Sequence, residues 1–309
     1  MTAAPSRTPS TDAVTPPGFR WAAAAASAFP APFPESGDAP APVSWRFAAL
    51  PEAVADAARS AFGVDVVSDA AAPDPRDLPA FAAIFAHARA EQIVRALARR
   101  TNLVLPAASA LVIGDGPLAD RLAATLTIGG SRVIRGISDP VAHLRAHLAG
   151  ARLVTEPWPA ADLALATGEG HSPVDPASAT GVLIDASVDA NGLVPSRAGD
   201  TVRPFVTRAG EGTWVVEAPG VFETLGQPSP VADALVALSI LTRRVSEPYW
   251  VPEPYGVPEP YWVPEPVEGS RPESEGRFDK LSDPVAKLSR PVAADAHLAR
   301  LVLAGSALA

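Results

Sequence analysis

The stretch that most constrains the fold runs from Ala108 to Pro140. An apolar strand at Ala110–Ile113 enters Gly114-Asp115-Gly116-Pro117-Leu118-Ala119, and a helix with apolar Leu118, Leu122, Ala123 and Leu126 follows. A break at Gly129-Gly130 leads to a second strand, Arg132–Arg135. This is the strand, Gly-rich turn, helix, strand unit that holds a dinucleotide. In such a unit Gly114 allows the tight turn, Gly116 lets backbone approach a pyrophosphate, and Ala119 lets helix and strand pack closely. The helix start offers free N–H groups to phosphate. The expected contacts with the nucleotide are Gly114, Asp115, Gly116, Pro117 and Leu118 here, with Thr167 and Gly168 at the end of a later strand. Arg135 ends the second strand, where an arginine can accommodate a 2′-phosphate, so NAD is expected with NADP as the alternative.

Composition narrows the function. The chain has 309 residues and a formal net charge of −9, a balance that argues against a nucleic-acid surface. It has no cysteine, which excludes disulfides, thiolate chemistry and Cys-based metal sites. No apolar run reaches the ~18 residues of a membrane span. Trp21–Phe29 follows an arginine, yet it is rich in alanine and not leucine, so it reads as a first globular helix and not as a signal peptide. A cytoplasmic protein is expected, with a nucleotide or nucleoside as its small-molecule partner and homo-oligomerisation as an open alternative.

In chain order, residues 1–42 read as a Pro-rich tail carrying that short helix. Residues 43–100 read as a reduced α/β segment: a strand at Trp45–Leu50, a helix at Pro51–Phe62 stopped by Gly63, a strand at Val64–Val67, and two helices, Leu78–Arg89 and Ala90–Arg100. Residues 101–246 form the Rossmann-type unit, with a helix at Pro140–Leu148 and strands at Arg152–Thr155, Asp162–Thr167, Gly181–Ile184, Val202–Thr207 and Thr213–Glu217. A return helix spans Pro230–Thr242. Alternating strands and helices imply an α/β fold: a doubly wound parallel sheet, a smaller second α/β domain and a Pro-rich insert near the C-terminus.

That insert, residues 247–289, opens with EPYWVP, EPYGVP, EPYWVP and continues as EPVEGSRPESEGRFDKLSDPVAKLS. All three tyrosines lie in the repeat, and both lysines, Lys280 and Lys287, follow it. Regular proline favours extended chain over a packed core. The segment resembles translated intergenic repeats of high-GC actinobacterial proteins, which implies an insertion without selected function; a Pro/aromatic ligand for a partner is the alternative. A helix at Val292–Leu303 closes residues 290–309.

From about Ala90 to Leu241 the order of short motifs resembles S-adenosylhomocysteine hydrolase. Arg99-Arg100-Thr101-Asn102-Leu103 is similar to its R-x-T-N segment, Arg132-Val133-Ile134 with Asp139-Pro140 to its R-V-I-V-T-E-I-D-P, Ala161-Asp162 through Thr167-Gly168 to its A-D-…-T-T-G strand, and Gly226-Gln227-Pro228-Ser229-Pro230-Val231-Ala232-Asp233 to its G-H-P-S-x-V-M-D. The resemblance implies a bound NAD that oxidises the ribose 3′ carbon. It breaks at the working residues. The ribose-binding glutamate falls on Ile137, the I-G-H-F-D histidine on Ser187 (Asp189 is kept), and the G-H-P-S histidine on Gln227. The catalytic lysine falls on Ala80, with Ile84 and Phe85 at the aspartate and asparagine positions. The C-terminal K-P-x-x-Y-R-Y tail is absent. Proton transfer at a ribose needs positioned acid/base groups, each contributing typically ~10²–10⁴-fold.

No catalytic residue is therefore assigned. The expectation is a hydrolase relative that keeps nucleotide binding and has lost the chemistry. The alternatives are an oxidoreductase recruiting Asp189, His171 or Asp139, and a non-catalytic interaction protein. Asp139, before Pro140, reads as the N-cap of the next helix. His143 and His147 stand i, i+4 without a third ligand and read as a solvated face. Ser187 lacks a histidine and a G-x-S-x-G elbow.

Overall fold

The protein is described by a computed structural model covering residues 17–29, 41–176, 181–189, 191–194, 200–210, 212–222, 229–244 and 284–306. Among these residues the main sheet has eight strands: β3 (Ser109–Ile113), β4 (Arg132–Gly136), β5 (Leu153–Val154), β6 (Leu163–Ala166), β7 (Gly181–Asp185), β8 (Thr201–Arg203), β9 (Val206–Gly210) and β10 (Thr213–Val216). Their spatial order is β5-β4-β3-β6-β7-β10-β9-β8. The first six of these are mutually parallel. Read in chain order, they run 3-2-1-4-5-6, the Rossmann arrangement, with its switch of direction between β3 and β6. The central strands are buried on both faces, as parallel strands must be. One face of the sheet carries Ala110, Val112, Leu163, Leu165 and Ile184. The other carries Leu111, Ile113, Ala164, Ala166 and Leu183 beneath Trp158, Val174 and Leu193.

The far edge departs from an all-parallel sheet. The strand expected over 202–207 is two strands, β8 and β9, joined through Pro204 and Phe205 and pairing antiparallel; β9 also runs antiparallel to β10. Phe205 turns the corner at φ 66. Proline fixes its own φ and has no N–H for a ladder, which is why the apolar run cannot continue as one strand.

Among the described residues, seven helices accompany the strands: α1 (Arg20–Ala28), α2 (Glu52–Phe62), α3 (Pro79–Arg100), α4 (Pro117–Ile128), α5 (Pro140–Leu148), α6 (Pro230–Arg244) and α7 (Pro284–Ser306). The break expected at Arg89/Ala90 does not occur. Neither Gly nor Pro interrupts α3 after its first residue, and Phe81, Phe85, Arg89, Ile93 and Leu97 make one buried stripe along it. Gly63 ends α2 in the left-handed region at φ 65. A separate pair of parallel strands, β1 (Val43–Trp45) and β2 (Val66–Ser68), is tied to α6 by the buried Trp45 indole N–H, which donates to Ser239 Oγ at 2.9 Å.

Two of these helices have their N-terminal N–H groups satisfied by a carboxylate more than 200 positions away in sequence. The Trp21 and Ala22 N–H groups of α1 donate to Asp233 on α6 at 3.0 and 2.9 Å. The Ala80 and Phe81 N–H groups of α3 donate to Asp295 on α7 at 2.8 and 2.9 Å. The long repeat at 247–264 and the tail before Pro17 lie outside the described residues. Helix α7 starts at Pro284, inside the segment that sequence character assigns to the insert.

Candidate functional site

In an open α/β sheet, ligands sit beyond the carboxyl ends of the strands at the switch point. Here that edge brings together the turn after β3 (Gly114-Asp115-Gly116), the start of α4, and the loop after β6 (Thr167-Gly168-Glu169-Gly170-His171). Gly114 holds φ +146, and a Cβ there would overlap the Thr167 hydroxyl. No other residue fits so close to β6. The Thr167 Oγ1–H donates to the Ile113 carbonyl at 3.1 Å, which joins the two strand ends.

Helix α4 begins with Pro117, which has no N–H, and its N-cap Gly116 contributes no side chain. The first free donors are therefore Leu118 and Ala119. Both are taken by Glu169: Leu118 N–H donates to Oε1 at 3.2 Å and Ala119 N–H to Oε2 at 2.9 Å. A Cβ on Gly116 would lie 2.5 Å from the same carboxylate. The loop is tied down by its backbone as well. Asp115 N–H donates to the Glu169 carbonyl at 2.9 Å, and Glu169 N–H donates to Thr167 Oγ1 at 3.3 Å. Gly168 and Gly170 both sit at φ +73, which lets the loop fold back over the turn. Burial pushes the Glu169 carboxyl above its ordinary range, against the pull of the two amide donors, and nearby Asp120 adds to the rise.

The neighbouring positions are also spoken for. Asp115 accepts from Ser138 N–H at 2.9 Å and Asp139 N–H at 2.8 Å, just past the end of β4. Ile137, which the resemblance sets at the position of a ribose-binding acid, is buried. Asp139 caps α5 through Ala142 N–H at 2.7 Å. The buried Arg135 guanidinium donates to Asp120 at 2.7 Å and to the Gly114 carbonyl at 3.1 Å, so it braces the glycine turn from behind. His171 takes the Gly168 N–H on Nε2 at 3.0 Å and contacts the Ser172 carbonyl through Nδ1 at 2.7 Å. The tautomer protonated on Nδ1 satisfies both contacts.

In front of Glu169 lies a cleft of about 60 Å³, with Phe85, Ala82 and Val188 on its apolar side. Among the described residues, Arg76, from the short 3₁₀ turn Pro75–Asp77, is its one cationic lining residue. It is held by Asp74 at 2.6 Å, lies 3.7 Å from Asp189, and stands over the Phe47 ring. Sequence reasoning missed both Arg76 and Glu169 as site residues; the signal for Glu169 was its place between two glycines after a strand. The positions of the resembled family's lysine, aspartate and asparagine, Ala80, Ile84 and Phe85, are on α3, and Phe85 lines this cleft. Ser187 is a turn residue, its Oγ–H donating to Asp185 at 2.5 Å while its oxygen accepts from Asn191 and Gly192. Gln227 lies outside the described residues. Among the described residues, no group of three His, Asp or Glu is placed to hold a metal, and no helix is long and apolar enough to cross a membrane.

The glycine turn and α4 have the form that receives a dinucleotide, and in this arrangement the free N–H groups at the start of α4 are taken by Glu169. The sequence matches no protein-family profile and no curated protein. Among solved structures it is similar to a dipicolinate synthase from Bacillus halodurans, at 17% identity and TM-score 0.41 over 61% of this chain and 62% of that one. It is also similar to an L-alanine dehydrogenase (14%, 0.36, over 53% and 51%) and to a transhydrogenase from Sinorhizobium meliloti (17%, 0.39, over 61% and 66%). The chain thus spans between half and two thirds of the length of these proteins, none of which is an S-adenosylhomocysteine hydrolase. The strand order, and not these distant likenesses, identifies the Rossmann fold.

Proposed function

We propose that this chain is a nucleotide-binding Rossmann protein of S-adenosylhomocysteine-hydrolase-like descent that takes NAD, or NADP, at the β3/β6 crevice and does not hydrolyse adenosylhomocysteine. One observation carries the binding half: Gly114-Asp115-Gly116 and the start of α4 stand at the switch point, with Gly114 in a conformation and a space that only glycine accepts. The order of the resembling motifs supports the descent. The loss of hydrolysis rests on Ala80, Ile84, Phe85 and Ser187 standing where the resemblance puts a lysine, an aspartate, an asparagine and a histidine. The dinucleotide would meet the backbone of Gly114–Leu118 and the Thr167–Gly168 strand end. It would supply hydride transfer when bound, while this chain's own residues orient it and exclude water.

The test is denaturing extraction of the purified protein with chromatography of released nucleotide, joined to thermal shift with millimolar NAD, NADP and adenosine. Co-purified NAD(P) or a clear shift is expected. An empty protein whose melting temperature is indifferent to all three, in the wild type and in the Glu169 variants below, overturns the reading.

An oligomer also follows as a proposal. Val141, Leu144 and Leu148 are exposed along α5, one helical stripe beside the edge strand β5. A second copy packed on that stripe would show in light scattering as twice the monomer mass.

A further inference from the structure

The glycine of a dinucleotide turn leaves room for phosphate, and here that room holds the chain's own anion. The Glu169 oxygens take the two free N–H groups at the start of α4, and the carboxyl lies 2.5 Å from where a Cβ of Gly116 would stand. An anion gains from the helix dipole there, and two anions cannot share the same two donors. The loop that delivers Glu169 hinges on two glycines at φ +73 and is latched by two further hydrogen bonds, Asp115 N–H to the Glu169 carbonyl and Gly168 N–H to His171 Nε2.

We propose that Glu169 is an intramolecular occupant of the phosphate seat, which a nucleotide's diphosphate must displace before it binds, and that this residue therefore sets which ligands the crevice accepts. The proposal rests on the nucleotide reading above. Ligands with a phosphate group compete with Glu169 for Leu118 and Ala119 N–H; a bare nucleoside does not. The crevice accordingly discriminates against phosphorylated ligands by the strength of one charge-assisted, two-point contact.

The experiment compares wild type, Glu169→Gln and Glu169→Gly by calorimetric titration with NAD, NADP and adenosine, and by thermal shift with inorganic pyrophosphate. Circular dichroism melts of the unliganded proteins establish that each variant folds, and Glu169→Gln keeps a neutral acceptor at the helix start should the glycine variant not fold. Both variants are expected to bind the dinucleotide about tenfold or more tighter than wild type, with adenosine affinity unchanged. Pyrophosphate is expected to raise the melting temperature of Glu169→Gly and not that of wild type. Equal dinucleotide affinity in all three proteins overturns the occupant proposal and leaves the nucleotide reading standing. If none of them binds a dinucleotide, the nucleotide reading falls, and pyrophosphate decides the rest: a shift confined to the variant upholds Glu169 as occupant of an anion seat, and no shift overturns it.

Discussion

Asp233 shows how one residue serves two segments of chain. It lies in the stretch that resembles a nucleotide-family motif, yet its carboxylate is buried in α6 and caps α1 through the Trp21 and Ala22 N–H groups. Burial lifts its pKa from 3.8 to about 6, more than the three backbone donors and Arg20 pull it down. The folded state thus holds a proton there that the unfolded chain has released above about pH 4. Stability from this group is full below pH 4 and is lost as pH rises to 6 and beyond. The rise from 3.8 to about 6 corresponds to about 3 kcal/mol. Urea melts of wild type and Asp233→Asn, taken from pH 4 to 7, should show the wild type losing ground to the variant by that order. Parallel pH profiles would mean Asp233 does not titrate in this window. Arg135 carries a similar lesson: a residue expected at the end of the second strand to meet a 2′-phosphate has its guanidinium on Asp120 and the Gly114 carbonyl.

At the scale of elements, α7 is the informative one. It follows a Pro-rich repeat, yet its Ala294 and Leu298 are fully buried and its Asp295 caps α3. Losing a cap alone costs about 0.5–2 kcal/mol, and losing the buried side chains adds to that. A chain truncated after Arg244 should therefore be strongly destabilised or insoluble. A chain in which residues 250–280 are replaced by a Gly/Ser linker of equal length should melt as wild type does. A large drop for the linker variant would show that the repeat contributes to the fold. Sequence character puts the end of the insert at Ser289, while the helix begins at Pro284, a residue type readily placed in a first helical turn.

At the scale of the molecule, the segment before β3 and the Rossmann unit share one core. A single buried cluster runs from Phe19, Trp45 and Phe81 through Val112 and Leu165 to Leu235 and Leu298. Among the described residues the segment before β3 has no apolar interior apart from this cluster, so unfolding should be one cooperative event. Tryptophan fluorescence and far-ultraviolet circular dichroism, followed through the same guanidinium titration, should give coincident transitions. Two separated transitions would show that residues 43–100 fold as a unit of their own. The shared core also fixes the site, since it sets Arg76 and Phe85 of the first segment across the cleft from Glu169 and Val188 of the second.

The strand–turn–helix–strand unit from Ser109 to Gly136 is legible in the residues alone, because glycine positions and apolar periodicity are local properties that tertiary context seldom overrides. So are the caps at Asp139 and Gly63, each a short-range matter of one side chain or one φ. The single α3 and the β8–β9 hairpin also have local causes: no glycine or proline breaks α3 after its first residue, and Pro204 with Phe205 turns the chain between β8 and β9. The contents of the crevice came from the folded arrangement and from nothing local. Glu169 reaches donors 50 and 51 positions away, and Asp295 reaches α3 across more than 210. No local pattern marks a carboxylate that folding will place on another element's free N–H groups. The Glu169 contacts exist only once the sheet has brought the ends of β3 and β6 side by side.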